Sequence, residues 1–416
     1  MSVLNAPLND PSRYAASKPV FRCDAALISL LSSLLPGAGP VQYPALSDSA
    51  WNDFHKLTVR HGLNGLLYRE VRQGGAPIPA DISASLRGCY LHRVAENMLV
   101  LKQLERIACA FTSRGVPLIA LKGAAALLSL YDDVGCREIS DIDLLVEEHA
   151  LTEAKNIMEE LGYLQQNPYS SIEDELLQFQ NSHLPAYVRR DHFAIEIHGT
   201  ILYGQGRREQ SMREVWAQST PLKCGNATLR CLAPSHFLLH GAVHLMKHIQ
   251  SLSFGVKLKS FADMILLIRR FGPSINWNEF WATAAFWGIT REVKLIVATL
   301  NYAWVLAIPS PAPSSCAVPT QILVYGPRTP AERRAASIIG GSTLRRLIKR
   351  LMSAKRPISV SQALYFLRLI FRRPDDLRQQ YQLTAASWLA PYYLLRIFAI
   401  VRRALGELFE IIRASI

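Results

Sequence analysis

Two aspartates separated by one residue, Asp141 and Asp143, stand in the run SDIDLLV, residues 140–146. The apolar residues around them predict a strand. Side chains on a strand alternate faces, so both carboxylates point one way while Ile142 and Leu144 point into the core. Two anions sharing a patch repel each other, and the usual resolution is a hard divalent cation with oxygen ligands. A third acid, Glu196, lies in the run FAIEIH, residues 193–198. Residues 184–189 and 193–198 read as the two arms of a hairpin that turns around 190–192. Phe193, Ile195 and Ile197 then fall on one face, Glu196 and His198 on the other. If the second arm pairs beside the Asp141 strand, Asp141, Asp143 and Glu196 converge on a catalytic and metal site that can hold Mg2+ (or Mn2+) against a nucleotide triphosphate.

These acids need neighbours that position a phosphate. Upstream, residues 116–121 read as a strand, Lys122 and Gly123 as a turn, and 124–131 as a short helix. Backbone N–H groups at the opening of that helix, around Gly123 to Ala125, offer an anion cradle. Lys122 supplies a compact positive charge, and Arg137, in the polar loop before the acids, supplies a second.

The LKG turn with the helix behind it, then Arg137, DIDLLV and EIH, together resemble the uncharacterised nucleotidyltransferase family of the DNA polymerase beta-like nucleotidyltransferase superfamily. The resemblance covers about residues 51–263. It implies an α+β fold in which a polymerase beta-like core, a small mixed sheet with flanking helices, is inserted between N- and C-terminal helical subdomains. It also implies transfer of a nucleoside monophosphate from an NTP donor to a small-molecule, sugar, peptide or protein acceptor. Family members are often encoded near exopolysaccharide or lasso-peptide biosynthesis genes, which suggests a biosynthetic pathway. Ser140 and His198, which flank the acids, join Lys122, Gly123 and Arg137 as the expected nucleotide-binding set. The chain departs from the wider superfamily in carrying Lys122-Gly123 where a Gly-Ser pair is usual, and in a longer gap from there to Asp141. A non-catalytic nucleotide- or metal-binding accessory module of a biosynthetic complex is the alternative, favoured by the missing Gly-Ser pair and opposed by the three acids.

The remaining chain sorts into parts. Half of the 416 residues are hydrophobic and 19% are charged, a composition for a folded protein long enough for several domains. We expect an N-terminal helical subdomain with a loose leader (1–114), the core (115–222), a helical subdomain closing the cleft (223–308), and a linker with a basic amphipathic helical end (309–416). Seven scattered cysteines without a CxxC pair argue against a disulfide framework or a zinc ribbon. No secretory signal opens the chain, so the expected compartment is the cytoplasm. His55 and His61 are expected to be structural. His236, His240, His244 and His248 recur every four residues of one helix. They could form a zinc pair at His240 and His244, or close over the nucleotide cleft as donors. The net charge of +13 is concentrated from Arg328 onward, where seventeen Lys or Arg face five acids. That end carries no nucleic-acid-binding motif, which ranks nucleic acid last among partners. Its amphipathic helix either packs on its neighbours or makes a peripheral membrane contact.

Overall fold

Capping residues set the N-terminal helices. The computed structural model describes residues 20–34, 46–74, 78–166, 183–202, 208–250 and 257–310. Helix α1 (Val20–Ser32) is followed by α2 (Asp48–His61), where the Ser47 hydroxyl accepts from the Ala50 N–H at 3.4 Å. Gly62, with φ 68°, ends α2 in the left-handed region that glycine enters without a Cβ penalty. The apolar residues Trp51, Phe54, Leu57, Leu63, Leu66 and Leu67 recur at roughly helical spacing as if on one helix, and Gly62 breaks that run into α2 and α3 (Asn64–Arg72). Helix α4 (Ala80–Ser113) is 34 residues long and holds much of the core in place. Its buried Asn97 donates to the backbone carbonyls of Val134 and Arg137, at 2.5 and 2.7 Å. Its Gln103 amide both donates to the Phe193 carbonyl (2.8 Å) and accepts from the Phe193 N–H (3.0 Å). One helix thus fixes the entries to both acid-bearing strands.

The sheet consists of β1 (Ile119–Ala120), β2 (Asp141–Leu145), β3 (Leu164–Gln165), β4 (Tyr187–Val188), β5 (Ala194–His198), β6 (Thr220–Cys224) and β7 (Ala227–Cys231), in the order β3-β4-β5-β2-β1-β7-β6. It is mixed: β2 runs parallel to β5 and antiparallel to β1, while β1 runs parallel to β7. The strand expected over 116–121 is regular only at Ile119 and Ala120, with Leu118 accepting from the Arg230 N–H (2.8 Å) and Leu121 donating to the Asp143 carbonyl (3.0 Å) at its ends, and helix α5 (Lys122–Ser129) begins at once after Leu121. Helix α6 (Leu151–Glu160) follows β2 and is tied to the end of α4 by Arg114, which bridges Glu153 (2.8 Å) and Glu160 (2.6 Å). After α7 (Arg208–Gln218), the β6–β7 hairpin adds two strands, so the sheet runs past residue 222, the expected end of the core. Ile142, Leu144, Ile195 and Ile197 are wholly buried.

Four helices complete the described chain: α8 (Pro234–Gln250), α9 (Lys259–Phe271), α10 (Trp277–Phe286) and α11 (Thr290–Trp304). The sequence pattern alone reads as one helix over 278–304, and Gly288, at φ 69°, splits it. Trp304 packs on Phe261 with ring centres 5.2 Å apart, and its indole N–H donates to the Ile28 carbonyl of α1 (3.3 Å). The last described helix therefore closes back on the first. No helix among the described residues is long and apolar enough to cross a membrane. The leader through residue 19 and the linker and basic amphipathic end from residue 311 lie outside the described residues.

Candidate active site

Strand register decides which acids meet. Asp141 lies opposite Ala194, Asp143 opposite Glu196 and Leu145 opposite His198 along the parallel β2–β5 pair. Alternation then places Asp141, Asp143, Glu196 and His198 on one face of the sheet. The ligand-type atoms of Asp143, Glu196 and His198 lie within 4.8 Å of one another. His198 Nε2 is 2.9 Å from Asp143 Oδ1 and 3.7 Å from Glu196 Oε2. Asp141 is half-buried at the start of β2, where its carboxylate accepts from the exposed Ser140 hydroxyl at 2.7 Å.

Above these groups sits Lys122, the first residue of α5. Its Nζ is 2.5 Å from Asp143 Oδ1 and 3.9 Å from Glu196 Oε2. Its φ of 46° lies in the left-handed region that side chains other than glycine seldom enter. Backbone strain of this kind concentrates at functional sites, where the surrounding structure must hold it. Here the double ion pair does so. The Ala125 N–H is turned inward to the Leu121 carbonyl (3.3 Å), which leaves Gly123 and Ala124 as the part of the expected anion cradle facing the turn.

The electrostatics follow from burial and an excess of acid. Burial opposes ionisation of Asp143, but Lys122 and the His198 hydrogen bond outweigh it and hold the carboxyl well below its usual range. Burial, reinforced by Asp143 and then Asp141 against the pull of Lys122, pushes Glu196 up to about 7. Burial lowers His198 to about 4, so its ring is neutral at pH 7. Among the described residues, three carboxyl groups therefore share one ammonium. A buried cluster short of positive charge, with two carboxylates and a neutral imidazole converging, fits a divalent cation. The expected metal set was Asp141, Asp143 and Glu196; the groups brought together are Asp143, Glu196 and His198.

Arg137 occupies a different position from a phosphate ligand's. It is buried, and its guanidinium makes a two-point contact with Asp263 of α9, Nε to Oδ1 at 2.8 Å and Nη2 to Oδ2 at 2.7 Å. Tyr131 donates to the same Asp263 Oδ1 at 2.9 Å. Arg137 still lies behind the Lys122-Gly123 turn, since a Cβ built on Gly123 would come 3.6 Å from its Nη2. The Asp263 pairing carried no sequence signal, because it joins positions 126 residues apart. His198 did carry one, being two residues beyond Glu196 and hence on its face.

The histidine row lies close to this centre. Burial, then the positive charge of Lys122, keep His244 well below its usual range, while Asp143 pulls the other way. Its near partner is His248, with the Nε2 atoms 3.0 Å apart, whereas the rings of His240 and His244 are separated by 6.3 Å. His61 is buried and accepts from the Leu258 N–H at 3.4 Å, and His55 contacts the Ser85 hydroxyl at 3.1 Å; both act within the helical packing.

Among solved structures, the chain is similar to the antibiotic-resistance factor ANT(2'')-Ia, at 14% identity over 50% of this chain and 97% of that one, with a TM-score of 0.33. It is also similar to an antigenic nucleotidyltransferase-like protein from Paracoccidioides brasiliensis, at 16% identity over 51% and 94%, with a TM-score of 0.29. No curated protein sequence matches it. The model of the family described as uncharacterised nucleotidyltransferase matches residues 47–303, a span that contains every group named above. The chain belongs to that family and is, by class, a nucleotidyltransferase.

Proposed function

We propose that this protein moves a nucleoside monophosphate from an NTP, with Mg2+ or Mn2+, to a small-molecule, sugar, peptide or protein acceptor in a biosynthetic pathway. The observation that carries the reading is the in-register pair Asp143 and Glu196 beneath Lys122 at the opening of α5. Asp143 and Glu196 would hold the cation, with His198 beside them and Asp141 on the same face. When bound, that cation neutralises triphosphate oxygens and so lowers the charge barrier to transfer.

The chain's own groups supply the rest. Lys122 trades its contact with the acids for the phosphates, and the N–H groups of Gly123 and Ala124 orient them at the positive end of α5. Ser140 offers a hydroxyl at the rim. Arg137, its charge balanced by Asp263, would support the turn from behind Gly123. Glu196, which burial and the neighbouring Asp143 hold above its usual range while the site lacks a cation, would ionise fully on meeting one. In this reading the sheet forms a core between the N-terminal helices and the helices after β7, and the basic C-terminal region makes any membrane contact of an otherwise cytoplasmic protein.

The short contact between Lys122 and Asp143 (2.5 Å) gives the accessory-module reading its support, since it ties up the acid a catalytic cation needs. Incubation with α-phosphate-labelled NTPs and a panel of hydroxyl and phosphate acceptors separates the two. Catalysis predicts labelled acceptor and released pyrophosphate with the wild type, and neither with Asp143→Asn. Metal-dependent NTP binding without release of pyrophosphate in any mixture favours the accessory module.

A further inference from the structure

We infer that His198 is a direct metal ligand, making the centre a mixed oxygen and nitrogen site that prefers a divalent transition ion of the Mn2+ class to Mg2+. This rests on the reading of the site as a divalent-cation centre, and it departs from the all-oxygen set that the three acids alone would form. Ligands about 2.1 Å from one octahedral ion lie about 3.0 Å apart when adjacent and about 4.2 Å apart when opposite. The His198 Nε2 distances of 2.9 Å to Asp143 and 3.7 Å to Glu196 are close to that range, and the three atoms together lie within 4.8 Å, so a small inward shift of one carboxylate would complete the set.

The ring is committed to this position. His198 is 2% exposed, and every polar contact it makes in the described structure is through Nε2, the nitrogen aimed at the two acids. Its backbone is locked as well: β5 pairs with β2, and His198 itself bridges to His183 and accepts from the Val146 N–H at 2.9 Å. A cation settling between Asp143 and Glu196 would replace the hydrogen bond from Nε2 to Asp143, the ring proton passing to Nδ1, and would then meet an imidazole nitrogen that cannot swing aside. Mg2+ favours oxygen and water and sheds water reluctantly, whereas Mn2+ and later ions accept imidazole readily. The strand geometry, rather than the acids, sets the choice of ion.

The rival source of nitrogen is the His244 and His248 pair on α8, and the test must separate the two. Mn2+ bound to the full chain without nucleotide is examined by pulsed electron paramagnetic resonance for a directly coordinated nitrogen, and Mg2+ competition gives the ratio of affinities. The wild type should show the nitrogen coupling. His198→Asn should lose it and weaken Mn2+ about tenfold or more while leaving Mg2+ nearly unchanged. Glu196→Gln should weaken both ions and keep the coupling, as should the folded His244→Asn/His248→Asn variant in its wild-type ratio. An oxygen-only spectrum in the wild type overturns the inference even if His198→Asn does not fold, and so does loss of the coupling in the α8 variant alone. Binding of both ions with no nitrogen signal would leave the proposed function standing; binding of neither, with or without NTP, would overturn both.

Discussion

Two buried charge clusters lie on either side of Gly123, and they are built to opposite rules. In one, Arg137 meets Asp263 through two parallel hydrogen bonds and Tyr131 satisfies the remaining side of the same carboxylate. One cation balances one anion, and the planar guanidinium fits the carboxylate edge to edge. In the other, Lys122 faces Asp143 and Glu196 with Asp141 nearby, and the adjoining histidine is neutral. The first cluster is closed and acts as a joint between α9 and the loop before β2. The second has acid to spare among the described residues, which is the arrangement a bound cation would complete. Counting charges in a buried cluster thus distinguishes a structural pair from a binding site where burial alone would not.

Breaking the closed cluster should have the largest effect on stability. Asp263→Ala leaves the Arg137 guanidinium buried without its counter-ion, and removal of one partner of such a pair costs about 3 to 5 kcal/mol. The urea unfolding midpoint should fall accordingly, and an Arg137→Met/Asp263→Leu double variant should recover much of the loss. A single variant as stable as the wild type would mean that the pair is not the joint described.

This contrast also shows what the sequence could and could not reveal. Alternation within IDL and AIEIH was enough to place the acids on one face, because strand parity is local. Which acids would touch was not legible, since that depends on the β2–β5 register and on Lys122 leaning down from another element. The same applies to Arg137: its loop position near the acids suggested phosphate, but its partner Asp263 comes from a helix far along the chain. Glycine signals were read unevenly. Gly62 and Gly288 end helices at left-handed positions, and each cut a run that hydrophobic periodicity had joined. β1 is shorter than its apolar run because Val116 and Leu118 are buried without pairing along β2.

In the acid-rich cluster, Lys122→Met should move two affinities in opposite directions. NTP binding should weaken about ten- to a hundredfold, the equivalent of losing a charge-assisted contact of about 1.5 to 3 kcal/mol. Divalent-ion binding without nucleotide should strengthen, because an ammonium no longer competes for Asp143. Calorimetric titration measures both, and a parallel loss of both affinities would show that Lys122 supports the site instead of competing within it.

His236 provides a smaller test, as a buried titratable group that is paired with neither cluster. It stacks on Trp287 with ring centres 5.3 Å apart, and burial lowers it to about 4. The unfolded chain takes up this proton below about pH 6.5 while the folded chain stays neutral until about pH 4. Stability should therefore fall as pH drops through that window, by up to about 1.4 kcal/mol per pH unit for this one group. His236→Phe keeps an aromatic ring on Trp287 and should make the acid slope shallower in urea melts at pH 6.5, 5.5 and 4.5. An unchanged slope would assign the acid sensitivity to other groups, such as His198 and His244.

The central claim is that the excess acid at Asp143 and Glu196 binds a nucleotide through a divalent cation. Isothermal titration of ATP into the full chain, with Mg2+ or Mn2+ and again with a chelator, tests it most directly when repeated on Asp143→Asn. The account predicts binding that needs the cation and falls at least about a hundredfold, or about 2.7 kcal/mol, in a variant that remains folded. ATP binding of equal strength in the chelator, or in folded Asp143→Asn, would contradict it.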